Sequence, residues 1–238
     1  MKKIVCNNYD EMSGAAADIV VNQLTVKPDS VLGLATGSTP LGMYAELVKR
    51  YRAGAIDFSR VHSFNLDEYY PMKRSHPQSY YYFMHENLFD MVNIASSRLL
   101  SGETDDPSAE CANYDAEIEA AGGIDLQILG IGLNGHIGFN EPTESYSIPT
   151  HLVGLTESTI NANSRFFSGG EVQPVSALTM GFGSIFSSKS ILLLISGAGK
   201  AQIAKKLFEG RIYTDIPASL LLLHPDVTVL LDRDAAGA

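Results

Sequence analysis

The chain has 238 residues, 45% of them apolar and 18% charged, with a formal net charge of −10 at pH 7. That apolar share is enough to fill a globular core. The acidic balance excludes nucleic acid and anionic membrane surfaces as main partners, because both need a broad basic face, whereas a small anion needs only a few local donors.

Residues 1–10 contain two lysines but no long apolar stretch, so a secretory leader is not expected. No apolar run approaches the length of a membrane span. Cys6 and Cys111 stand alone, outside any ligand-spaced set, as in proteins of reducing compartments. A cytoplasmic protein is the expectation. Short apolar runs at 3–6, 30–35, 61–66, 125–129, 151–155, 191–196 and 227–231 read as strands. Segments of helical period near 10–24, 40–52, 78–91, 108–120, 157–165, 199–209 and 216–223 separate them. Runs buried on both sides, alternating with helices, predict a doubly wound, Rossmann-like, mostly parallel α/β sheet with helices on both faces. No repeat or long linker interrupts 1–238, so one domain is expected. Ligands of such sheets gather at the carboxyl ends of the strands, so the residues there are taken in turn.

After 30–35 comes TGSTP, in which Thr39 can cap a helix and Pro40 can open it. Free amides, with the Thr36 and Ser38 hydroxyls and the curvature allowed at Gly37, suit a phosphate. A plain capped turn is the alternative. After 61–66 stands Asp67, either a turn cap or a carboxylate at a cleft edge, able to act as a general base. After 191–196 comes GAGK, where Lys200 opposes the dipole of the helix it opens unless an anion lies nearby. Arg165, flanked by apolar residues in NANSRFF, is the other isolated cation, with a structural ion pair as its alternative.

The stretch GIGLNGHIGFNEP at 130–142 contains G-x-G-x-x-G. A dinucleotide turn requires its third glycine to open a long helix, and Gly138 and Pro142 leave no room for one. The segment reads instead as a tight glycine loop presenting Asn134, His136, Asn140 and Glu141. Glu141, five residues after His136, can orient the imidazole and raise its basicity. Metal-ligand spacing is missing, so no metal is expected.

In this order, LATGSTPLGMY, FNLDEYY, GIGLNGHIGFNEP, NSRFF, SGAGKA and PASLLLLHP resemble the glucosamine-6-phosphate deaminase family. The resemblance covers nearly the whole chain, and GHIGFNEP is its most specific part. It implies conversion of glucosamine 6-phosphate and water to fructose 6-phosphate and ammonia without an organic cofactor. It also implies ring opening by His136, supported by Glu141 and residue 134, and proton transfer from C2 to C1 by an Asp67 already ionised near neutral pH. The phosphate donors it implies are Thr36, Gly37, Ser38, Thr39, Arg165 and Lys200. Some family members carry Asp where this chain has Asn134, which would leave Glu141 as the charged partner of His136. Allosteric hexameric members use basic residues just after FNEP. The corresponding TESYSIPTHLVGL has no Lys or Arg, so a monomer or weak homo-oligomer without an activator site is expected. The alternatives are a sugar-phosphate lactonase of the same broad fold and a non-catalytic sugar-phosphate sensor.

Overall fold

The computed structural model describes residues 1–164, 167 and 172–237. Its strands are β1 (Lys2–Cys6), β2 (Val31–Leu34), β3 (His62–Asn65), β4 (Asp67–Tyr70) and β5 (Ser96–Arg98). They continue with β6 (Leu126–Leu129), β7 (His151–Gly154), β8 (Ser176–Thr179), β9 (Ser190–Ile195) and β10 (Val227–Asp232). Seven of them form one sheet in the order β1-β10-β9-β6-β2-β3-β5, and every neighbouring pair in it is parallel. The doubly wound expectation therefore holds. The chain runs outward from β2 through β3 to β5, then returns to the other side of β2 with β6. The order thus reverses between β2 and β6, which is where such sheets hold ligands.

Helices cover both faces. One face packs against α1 (Tyr9–Val26), α2 (Leu41–Arg52) and α3 (Tyr80–Asn87), with Met12, Ala16, Tyr44, Leu47 and Met84 meeting Leu32, Leu34, Ile128, Leu192 and Leu194. The other packs against α4 (Pro107–Ala120), α6 (Phe182–Phe186) and α7 (Ala201–Leu207), with Tyr114, Ile185 and Leu207 meeting Val31, Leu129, Leu193 and Val229. Alternate strand residues feed opposite cores, as the period of two requires. Among the described residues the remaining α-helices are α5 (Glu157–Asn163) and α8 (Arg233–Ala236).

Three departures from the sequence reading matter. The run at 151–155 does not join the parallel sheet: β7 is the edge of a second, antiparallel sheet ordered β4-β8-β7, and its exposure alternates. This small sheet shares the main core through Leu178 and Met180, and Leu66 ties the sheets by donating to Leu34 O and accepting from Met180 N–H, both at 2.8 Å. Residues 67–70, 96–98 and 176–179 gave no strand signal because each is short and largely polar. Finally, 217–223 is a 3-10 helix, and the segment at 199–209 begins as a 3-10 turn at Ala198–Lys200 before α7.

Candidate active site

The carboxyl ends of β9, β6, β2 and β3 lie side by side, and each carries one predicted feature. At about 4.8 Å per strand, this row spans roughly 14 Å, enough for a sugar phosphate.

The glycine loop after β6 is held by its own backbone. Gly132 N–H donates to His136 O at 2.9 Å and Gly135 N–H to Gly132 O at 3.1 Å, while Ala218 N–H reaches Gly135 O at 2.8 Å. A Cβ at Gly132 would sit 2.3 Å from His136 Cε1, so the imidazole lies directly over that glycine. Gly135 has a φ of 85°, in the left-handed region. No helix follows it. The chain closes a tight turn in which Ile137 and Asn140 bridge, and the Asn140 amide donates to Ile137 O and Met180 O.

This bend brings together three predicted residues. His136 Nδ1 lies 3.2 Å from Glu141 Oε2. Asn134 donates its amide to the same oxygen and accepts the His136 backbone N–H on Oδ1 at 3.2 Å. The other carboxylate oxygen accepts the Thr159 hydroxyl from α5. Burial alone would raise the Glu141 carboxyl, but the hydrogen bond and charge of His136, joined by Thr159 and Asn134, hold it down at about 2. Glu141 is therefore an ionised acceptor with three donors on its two oxygens. The asparagine at 134 has a physical reason: its NH2 can donate to Glu141, whereas an aspartate there would set two carboxylates against each other.

Thr159 was missed from sequence. It lies 18 residues from Glu141, and its own position is fixed by Thr156, the N-cap of α5, whose hydroxyl accepts the Thr159 N–H. No local pattern carries that contact.

Asp67 opens β4 opposite Thr179 in β8. Thr179 Oγ1 in turn accepts the Phe139 N–H at 3.1 Å, linking this strand to the glycine loop. Asp67 is 7% exposed. Burial, and after it the neighbouring Glu68 carboxylate, push Asp67 from 3.8 up to about 8. The expectation of a carboxylate already ionised at neutral pH is thereby corrected: low-dielectric surroundings favour the neutral acid until an opposite charge arrives.

The turn after β2 differs from its predicted capping. α2 starts at Leu41, and no side chain of the turn caps it. Instead the Tyr9 hydroxyl, 33 residues away, accepts the Gly42 N–H at 2.8 Å and contacts Ser38 O and Thr39 O at 2.9 and 3.1 Å. Thr39 is thus freed from capping. Among the described residues, the backbone N–H groups of Gly37, Ser38 and Thr39 donate to no protein acceptor, and unspent amides of this kind suit an anion.

Lys200 stands in the 3-10 turn after β9, which Asp232 at the end of β10 anchors by accepting Gly197 N–H and the Ser196 hydroxyl. Its ammonium donates to Ile131 O and makes no ion pair among the described residues. Burial lowers it from 10.5 to about 8. Arg165, the remaining predicted donor, lies outside the described residues. Among the described residues no group of three or more His, Cys, Asp or Glu side chains is placed to hold a metal ion, and no helix is long and apolar enough to cross a membrane.

A family model for glucosamine-6-phosphate isomerases/6-phosphogluconolactonase matches residues 8–230. The chain belongs to this family. Within it, the chain is 56% identical over 239 residues to glucosamine-6-phosphate deaminase of Thermoanaerobacter pseudethanolicus, covering all of this chain and 94% of that one. It is 53% identical to the glucosamine-6-phosphate deaminase of Clostridium botulinum (strain Kyoto / Type A2), covering all of this chain and 98% of that one. Among solved structures, a monomeric glucosamine-6-phosphate deaminase superposes with a TM-score of 0.95 at 46% identity, over 100% of this chain and 99% of that chain. A 6-phosphogluconolactonase from Leishmania guyanensis, at 20% identity and a TM-score of 0.76 over 99% of this chain and 97% of that one, shares the fold.

Proposed function

We propose that the protein is a glucosamine-6-phosphate deaminase acting as one domain, converting glucosamine 6-phosphate and water to fructose 6-phosphate and ammonia. The observation that carries this reading is the His136–Glu141–Asn134 cluster after β6, with Lys200 after β9 on one side and the unspent amide turn after β2, then the buried Asp67 after β3, on the other. The full-length likeness to named deaminases supports it over lactone hydrolysis.

The phosphate is taken by the turn at Thr36, Gly37, Ser38 and Thr39 and by Lys200, with Arg165 as a further donor. His136 moves a proton from O1 to O5 as the pyranose opens, and Glu141 holds the imidazole in place and balances its charge. Asp67 then takes the proton from C2, acidified by the C1 aldehyde, and returns it to C1. The C2 amine becomes a ketosimine, which water hydrolyses to the ketone and ammonia. A carboxyl near 8 suits both halves of this transfer, since a catalytic acid-base works best close to the ambient pH. The substrate's cationic 2-amino group supplies the charge that ionises Asp67 on binding.

The segment after FNEP, which has no Lys or Arg, and the monomeric solved relative support a monomer or weak homo-oligomer without an N-acetylglucosamine 6-phosphate activator site. Incubation with glucosamine 6-phosphate tests the reading: equimolar ammonia and fructose 6-phosphate are expected. Hydrolysis of 6-phosphogluconolactone with no ammonia from the amino sugar would replace it with the lactonase reading.

A further inference from the structure

We propose that Glu68 is a positioning residue for proton transfer at Asp67, clamping the strand that carries this carboxylate onto the start of α3. The proposal rests on the reading of Asp67 as the base.

Glu68 is 2% exposed, and its carboxylate is spent wholly on backbone. Oε1 accepts the N–H groups of Tyr69 and Tyr80 and Oε2 that of Tyr81, each at 2.9 Å. Tyr80 and Tyr81 are the first two residues of α3, so the anion meets orphan amides at the positive end of a helix dipole. Strand alternation sends Glu68 and Asp67 to opposite faces of β4. The clamp therefore grips the strand on the side away from the Asp67 side chain. Ser79 caps only the Tyr82 N–H, so the Tyr80 and Tyr81 amides depend on Glu68, and one carboxylate both caps α3 and ties β4 to it. A desolvated charge is costly, and this one is kept directly beside a second buried carboxylate.

The titratable groups coupled electrostatically to Asp67 are Glu68 on β4, Tyr80 on α3 and Tyr114 on α4, while Arg74, after β4, acts on Glu68. The glycine loop contributes His136 and Glu141 to the same cleft. Burial raises both tyrosines above their ordinary range, so they are neutral, and the charge acting on Asp67 is that of Glu68. Burial brings Glu68 itself up to about 7 against the pull of its three amides and Arg74. When ionised, Glu68 makes the Asp67 carboxyl hold its proton longer.

The test compares Glu68→Gln and Glu68→Asp with the parent protein, reading the Asp67 carboxyl by 13C NMR (assigned by its loss in Asp67→Asn) alongside the pH profile of kcat/KM. Glu68→Gln is expected to lower the Asp67 midpoint by roughly one pH unit, a tenfold loss of proton affinity. The acid limb of kcat/KM should move the same way, and plateau kcat should fall while KM stays within about twofold. Glu68→Asp keeps the charge, so its midpoint stays near the parent value while the shorter reach lowers plateau kcat. An unmoved Asp67 midpoint in folded Glu68→Gln overturns the proposal. Should Glu68→Gln fail to fold, Glu68→Asp decides: parental kcat or a shifted midpoint overturns the clamp. If the parent protein releases no ammonia, the functional reading fails separately, and the carboxyl titration still reports whether Glu68 acts on Asp67.

Discussion

Asp67→Asn should stabilise the protein while abolishing its turnover, and the gain should depend on pH in a defined direction. The carboxyl is carried from 3.8 to about 8 by burial and Glu68. Below about pH 3.8 the acid is neutral in both folded and unfolded chains, so the substitution is close to neutral. Between 3.8 and 8 the unfolded chain releases the proton and the folded one keeps it, so the parent protein loses stability steadily. Above that window the difference is complete. At 1.36 kcal/mol per pH unit the full span is on the order of 5 kcal/mol, or on the order of 10 °C in Tm for a chain of this size. An asparagine carries no charge and escapes the whole effect. Calorimetric melting of both proteins at pH 4, 6 and 8 measures it: the Tm difference should grow from near zero to its maximum across the series. A pH-independent difference, or one that shrinks as pH rises, would refute the placement of a protonated carboxyl at this position.

Other consequences follow from the same contacts. Thr159→Val removes the hydroxyl that holds Glu141; a hydrogen bond to a charged group is worth about 1.5–3 kcal/mol, so kcat should fall ten- to a hundredfold with KM little changed, and Thr159→Ser should restore it. Asn134→Asp sets a second carboxylate against Glu141, whose stabilising contribution is present above 4.5 and is lost as pH falls toward about 2. That variant should be less stable than the parent at pH 7, with the deficit shrinking as the pH is lowered; a constant deficit in urea unfolding would contradict the charge argument. Lys200, lowered by burial to about 8, should take up a proton when phosphate binds above that pH. Calorimetric titration with inorganic phosphate at pH 8.5, in buffers of different ionisation enthalpy, should show this uptake, and Lys200→Met should abolish it.

The parallel sheet was legible because its strands are apolar runs buried on both faces, which leaves the local sequence little freedom. The glycine loop was legible for another reason: the turn between His136 and Glu141 is too tight to separate them, and the two meet at 3.2 Å. What escaped reading depends on partners distant in sequence. The cap of α2 comes from Tyr9 rather than from Thr39, and the third donor to Glu141 comes from α5. The small sheet hid because its central strand, SALT at Ser176–Thr179, has no apolar run. Protonation of Asp67 was misjudged because ionisation follows burial, and burial belongs to the folded molecule. Sequence showed a carboxylate after a strand; only the packing of β4 against β8 and α3 shows that it is dry.

The most direct test of the account follows the hydrogen at C2. Glucosamine 6-phosphate deuterated at that carbon is incubated with the parent protein and with Asp67→Asn, and the label is read by NMR alongside ammonia release. The account predicts that the parent protein moves the label from C2 to solvent or C1 as ammonia appears, and that Asp67→Asn binds the sugar phosphate yet leaves the label in place. Loss of the C2 label at the parental rate in Asp67→Asn would contradict it.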